Sequence, residues 1–310
     1  MPSTSTTPNV PLWAKLIDPK TLKRGWHLSR ADMRNDFVED LLAVDVFAQN
    51  LDGNIEDIKN GLLTNSYEPK SLLQIEVPKS TLGVRPGSLP AIEDRIILYS
   101  ILYLLAPEID RKLPDSVYSY RLKDSIETGK YIFKESEVID VPFLKRKTIA
   151  TRIDPFDAWY EVWPEFEKKT REAFKTHGYS FLVISDISAY FENIQLPILR
   201  DQLLEHFPND SKIINLLFGF LESWATKTNS GRPHLRGIPQ GTTIGSILGN
   251  IFLLPLDRHF QTINDIQEAA EKLFGGILAE GKLRRIRYHS SGFPSFFATI
   301  GRNSDSLKSV

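Results

Sequence analysis

An aspartate closes an apolar run: Phe181 to Asp186 reads FLVISD, at the head of the longer stretch FLVISDISAYFENI. Phe181 to Ile184 are apolar and include a β-branched pair, the pattern of a strand covered on both faces. A carboxylate on such a strand is costly to bury unless it is paired or binds a cation, which makes Asp186 a candidate metal ligand. The competing reading is a helix N-cap at Asp186 or Ser188. Phe191, five residues on, is close enough to wall a pocket for a cation and a phosphate.

Composition narrows the choices. The chain has 310 residues, 41% hydrophobic and 25% charged, with 38 Lys+Arg against 39 Asp+Glu. Overall charge therefore does not mark a nucleic-acid binder, and any such binding has to come from locally clustered basic residues. The absence of cysteine excludes a disulfide scaffold and a thiolate metal site. The six histidines are scattered and none forms a paired motif, which argues against structural zinc. No apolar run approaches the roughly 20 residues that span a bilayer. MPSTSTTPNVP lacks an apolar signal region and reads as a polar lead-in, so a cytoplasmic protein is expected.

The elements that must position Asp186 follow from periodicity. Residues to about Lys70 read as mostly helical, with RGWHLSRADMRNDFVEDLLAVDVFAQNL as the main body. LLQIEVPKSTLGVRPGSLP suggests a strand, a turn and a second extended piece. Ile92, Ile96, Tyr99 and Tyr103 recur at helical spacing, in a helix that Pro107 should limit. Asp154 to Thr176 reads as a helix whose Phe156, Trp159, Trp163 and Phe166 fit core packing better than stacking platforms. LPILRDQLLEHF is an amphipathic helix, and the polar TKTNSGRPHLRGIPQG leads into the apolar helix GSILGNIFLLPLDRHF. Helices and strands mix without a βαβ rhythm, so the expected class is α+β.

Taken together, four stretches resemble the motifs of reverse transcriptases, the RNA-directed DNA polymerases, in the family's order. Asp186 with Tyr190-Phe191 and Asn193-Ile194 resembles the first palm motif, and GIPQGTTIGSILGNIFLLPLD (Gly237 to Asp257) the second. VPKSTLGVRPGSLPAIEDRIILYSIL (Val77 to Leu102) looks like the fingers motifs, and VYSYRL (Val117 to Leu122) is similar to the signature that follows them. RGWHLSRADMRNDF and YSYRL are most similar to the bacterial reverse transcriptases of abortive infection and phage defence.

The resemblance implies a right-hand polymerase: an N-terminal, mostly helical extension (1–69), fingers (70–150), a palm (151–288) with an antiparallel sheet, and an aberrant or disordered tail (289–310). It implies two-metal phosphoryl transfer with Mg²⁺, an RNA template, a DNA or RNA primer, and dNTPs as substrates, with no membrane and an oligomeric state left open. Asp186 would be the catalytic carboxylate and hold both metals, helped by the backbone carbonyl of Ile187. Lys79 as a point charge and Arg85 as a bidentate fork would grip the triphosphate; without the resemblance they read as a solvated turn. Phe191 matches the steric gate that leaves no room for a ribose 2′-OH. Gln240 and Gly241 sit where the nascent base pair meets the backbone, glycine allowing close approach. Arg121, Arg232 and Arg236 are candidates for template or primer phosphates, or solvated surface residues.

One part of the pattern is missing. The family carries two further aspartates on a hairpin after an aromatic residue; here LRRIRYHSSGFPSFFATI occupies that place, and the register puts Ser290 and Ser291 at the two positions. A serine hydroxyl is neutral and a far weaker Mg²⁺ ligand than a carboxylate. Pro294 also falls inside what should be a central strand. A reading-frame shift near Tyr288, a pseudo-polymerase that carries serines, and completion by Glu192, Asp201 or Asp257 are the three explanations. With GRNSDSLKSV next, no room remains for a thumb, so truncation at or just after the palm is expected.

Overall fold

The computed structural model describes residues 11–33, 41–79, 83–118, 120–122, 137–141, 146–150, 156, 159–177, 181–187, 189–225, 235–240, 242–274, 283–291 and 293–301. The class is α+β: helices dominate, and the strands form small antiparallel sheets. Two compact units interleave along the chain. The first takes Met1–Pro107, Tyr131–Asp154 and Ile194–Gly245; the second takes Glu108–Lys130, Pro155–Asn193 and Ser246–Val310.

In the first unit, α1 (Leu12–Leu16), α2 (Pro19–Met33), α3 (Leu41–Gln49) and α4 (Leu51–Leu63) precede the hairpin of β1 (Leu73–Lys79) and β2 (Gly83–Leu89). Helix α5 (Ile92–Asp110) is buried on several sides, through Ile96, Ile97, Leu98, Ile101 and Leu102, as a helix apolar all round must be. It continues one turn past Pro107, which removes a single N–H without ending the helix. Helix α2 packs tightly on α5 because Gly25 has no Cβ; one placed there would overlap Ser100 Oγ and the Ile96 carbonyl. At the head of α5, Asp94 is fully buried and accepts hydrogen bonds from Tyr67 Oη (2.6 Å) and the Lys70 N–H (2.9 Å). Burial nevertheless holds its pKa up at about 6.

A second hairpin, β3 (Glu137–Val141) with β4 (Arg146–Ala150), and the helices α8 (Leu196–His206) and α9 (Ser211–Trp224) complete this unit. The sequence reading contained neither the hairpin nor α9. The signal for α9 was present: Ile213, Ile214, Leu217, Phe218, Leu221 and Trp224 recur at three- and four-residue steps, and all are buried. Leu196, Leu199 and Leu203 give α8 the matching inner face, and the two helices pack together.

The second unit holds α6 (Trp159–His177), β5 (Phe181–Asp186), α7 (Tyr190–Asn193), most of α10 (Thr243–Phe274), β6 (Leu283–Ser291) and β7 (Phe293–Gly301). Tyr118, Val162 and Phe166 form a buried cluster with Trp163 against it, so Trp163 and Phe166 pack as core. The three-stranded sheet has the order β5-β7-β6 and is antiparallel throughout. Residues 293–301 thus form its central strand despite Pro294, and the register shows how. Pairing with β5 stops at Phe296, so Pro294 lies beyond that edge. Toward β6, two residues lie between Phe293 and Phe296 where one lies between His289 and Ser291, a bulge that contains the proline.

Candidate active site

Asp186 is the last residue of β5 and lies opposite Phe296, which on its other side lies opposite His289 of β6. One row across the sheet therefore runs Asp186, Phe296, His289, with the outer two about 10 Å apart at two strand spacings. Ser290 and Ser291 follow His289 directly and are the last two residues of β6. Strand pairing thus brings the two serine positions toward the end of the sheet that carries Asp186. It also removes the N-cap reading of Asp186, because α7 starts four residues later, after the strand has ended.

The link from β5 to α7 is short. Ile187 is part-buried, and Ala189 has φ 50°, a left-handed conformation that non-glycine residues adopt at a cost of about 1 kcal/mol. Asn193 returns its N–H and its Nδ2 to the Ala189 carbonyl at 3.1 and 3.0 Å, fixing the turn. The consequence is the placement of Tyr190 and Phe191 against α10. Tyr190 Oη donates to the Gly249 carbonyl at 2.7 Å, and the Phe191 ring lies 5.3 Å from that of Tyr190. A Cβ on Gly249 would sit 3.1 Å from Tyr190 Cε1 and 3.5 Å from Phe191 Cε1. Phe191 is part-buried. The motifs include Tyr190 and Gly249 without giving either a role of its own; an isolated glycine inside an apolar helix is the signal that marks such a close approach.

In the first unit, Val77 pairs with Arg85 and Lys79 with Gly83. Cross-strand partners share a face, so positions 79 and 85 are diagonal neighbours on one face of the hairpin. Further down that face Ile75 and Val77 cover Gly87, leaving room for no Cβ there without a shift. The hairpin is tied to the Pro-Gln-Gly turn: the Ser88 N–H donates to the Gln240 carbonyl at 3.0 Å. Three contacts hold the approach to that turn. The Leu196 N–H donates to the Leu235 carbonyl, Gln195 and Arg236 pair as an antiparallel bridge, and the Gly237 N–H donates to the Ile194 carbonyl at 2.8 Å. Gly237 needs its residue type, since its φ is 93°. Gly241 and Arg232 lie outside the described residues.

Two arginines named from the sequence differ in the structure. Arg236 is exposed. Arg121 is not available for phosphate: its Nε donates to Asp110 Oδ1 at 2.9 Å and its Nη1 to the carbonyls of Pro114 and Val117. It ties Asp110, Pro114 and Val117 together, because a guanidinium has enough donors to satisfy several acceptors at once.

Whether this donor set suits Mg²⁺ is a chemical question. Mg²⁺ takes oxygen ligands in an octahedron and favours carboxylates. Among the described residues no group of three or more His, Asp or Glu comes together. Glu192 and Asp201 are both exposed. Asp257 is buried on α10, its Oδ2 has no hydrogen-bond partner, and desolvation lifts its pKa to about 7. Among the described residues, with serines at 290 and 291, the donors do not meet the requirement of a two-metal centre.

The model of the reverse transcriptase (RNA-dependent DNA polymerase) family matches residues 77–270, more than half of the chain, and the chain belongs to that family. Protein YkfC of Escherichia coli (strain K12) is 20% identical over 205 residues, which cover 66% of this chain and 45% of that protein. The chain thus spans less than half the length of this curated relative. Among the described residues no helix is long and apolar enough to cross a membrane.

Proposed function

We propose that this chain carries the fingers and palm of an RNA-directed DNA polymerase and binds template, primer and nucleotide, but does not extend a primer by itself. The observation that carries this is the row across the β5-β7-β6 sheet: one aspartate at its β5 end, and serines after His289 at its β6 end. In this reading Lys79 and Arg85 hold the triphosphate of a dNTP, and the Phe191 ring bars the ribose 2′-OH. Gln240 and Gly241 set the floor for the nascent base pair. Asp186, with the Ile187 carbonyl, keeps the metal-facing position of the family. The similarity of RGWHLSRADMRNDF and YSYRL to phage-defence enzymes supports a role in antiviral defence.

A second reading, an active reverse transcriptase, is favoured by the family match across residues 77–270 with Asp186 at a strand end. Primer extension on an RNA template with Mg²⁺ separates the two. The proposal expects no extension by the chain as it stands, and a gain of extension when Ser290→Asp and Ser291→Asp are introduced together. Adding Asp186→Ala to that pair should abolish the gain. Extension by the unaltered chain that Asp186→Ala removes would establish the second reading instead.

A further inference from the structure

We infer that the outer face of α2 is a docking strip for the phosphodiester backbone of a nucleic acid. The inference rests on the polymerase-family reading for its ligand class, and it concerns a helix outside the matched residues 77–270. Lys20, Lys23, Arg24, His27 and Arg30 recur at three- and four-residue steps. At 100° per residue they fill a sector about 120° wide, and no acidic residue of α2 falls within it. The opposite side is buried through Leu22, Trp26, Leu28 and Ser29, which fixes the basic side outward. Lys20, Arg24 and His27 are exposed, and Lys23 and Arg30 are part-buried.

At the head of the strip the exposed Asp18 accepts the Lys20 backbone N–H at 3.0 Å. From α4, the exposed Asp52 pairs with Lys23 at 2.5 Å. From α5, Tyr103 meets Arg24: its hydroxyl accepts from Nη1, and its ring lies 5.2 Å from the guanidinium carbon. Tyr103 is neutral, so it orients Arg24 without cancelling its charge. Among the described residues no carboxylate pairs with Lys20, Arg24 or Arg30, and the Nε of Arg30 is buried with no hydrogen-bond partner. The His27 pKa is lowered first by burial and then by Arg30 and Lys23, which shows these charges close enough to repel. The chain as a whole has a formal net charge of −1, so the strip is a local concentration and not a by-product of a basic protein.

Dimensions fit the ligand. Lys20 to Arg30 spans about 15 Å at 1.5 Å per residue, the axial length of about four phosphates on one strand. A basic amphipathic helix can also lie on an anionic membrane, but that needs an apolar face to insert, and here that face is buried in the unit's own core.

The test is fluorescence anisotropy with the full chain and a labelled 20-nucleotide probe, as single-stranded RNA and as single-stranded DNA of the same sequence, across a salt series. Lys20→Glu with Arg24→Glu should weaken binding at least tenfold at low salt. It should also flatten the log–log salt slope by about 1.4, at roughly 0.7 per phosphate contact. Lys20→Glu alone, at an exposed site, should give about half that change in slope with an unaltered melting temperature. The tighter of the two probes identifies the strand. Unchanged affinity and slope in both variants would overturn the strip, as would binding of neither probe by the unaltered chain. So would oligonucleotide binding left intact while binding to phosphatidylserine–phosphatidylcholine vesicles is lost. The primer-extension outcome is independent: extension with unaffected strip variants keeps the enzyme and removes the strip, and the reverse pattern keeps the strip and removes the enzyme.

Discussion

At the scale of single residues, the clearest departure from ordinary behaviour is Asp257. A carboxyl buried on an apolar helix, with one oxygen unpartnered and a pKa near 7, disfavours its own ionised form. Its folded-state pKa lies above the unfolded value of 3.8, so the sign is opposite to that of a salt-bridged aspartate. The contribution of Asp257 to stability is greatest below about pH 4, falls as the pH climbs toward 7, and is level above that. At about 1.4 kcal/mol per pKa unit the loss is at most ~4 kcal/mol. Asp257→Asn cannot ionise and should lose this slope, so urea melts at pH 5 and pH 8 should differ less for the variant than for the unaltered chain. Equal pH slopes in the two proteins would mean that Asp257 has a partner in solution. Asp94 illustrates the contrasting solution: also fully buried, it has two hydrogen-bond donors facing it.

At the scale of elements, the start of α10 is held by a close backbone approach. A Cβ on Gly245 would lie 2.5 Å from the Pro239 carbonyl oxygen, and the Gly245 N–H donates to the Thr242 carbonyl at 3.1 Å. The Pro-Gln-Gly turn and the first turn of the helix therefore fit only with glycine at 245. Gly245→Ala should cost about 1–3 kcal/mol in a denaturant melt, the range for forcing extra volume into a packed site. A cost below about 0.5 kcal/mol would mean that the turn is free to move away. Much of this scale was legible beforehand. The β1–β2 hairpin, strand β5 and helices α5, α6, α8 and α10 all follow from period and punctuation, because those signals are local. The β3–β4 hairpin and α9 are not among the sequence expectations, although the spacing in α9 announces a helix.

At the scale of the molecule, the interleaving of two units along the chain means that residues named together as one motif set belong to separate compact bodies. Lys79, Arg85 and Gln240 fall in the first, Asp186 and Phe191 in the second. If Lys79 and Arg85 hold a triphosphate, replacing both with alanine should weaken dNTP binding at least tenfold in equilibrium titration, while the thermal midpoint stays within about 2 °C. Unchanged dNTP affinity would remove both residues from the proposed site. A fall in both quantities would make their contribution one of folding.

By itself the sequence determined the α+β class, the strand that ends on Asp186, the hairpin that carries Lys79 and Arg85, and the serines in place of two acids. Each of these is written in residue type and short-range spacing. Only the tertiary structure decided the rest, because it depends on partners far along the chain. Arg121 is a structural tie and not a phosphate ligand, since Asp110 and two carbonyls reach it first. Pro294 is tolerated in a central strand because the neighbouring strand has ended and a bulge takes up the missing donor. Gln240 is tied to β2 by the Ser88 amide across 152 residues of chain, and no periodicity could announce that. Local sequence sets which groups are presented; which of them remain open for chemistry is set by what folds against them.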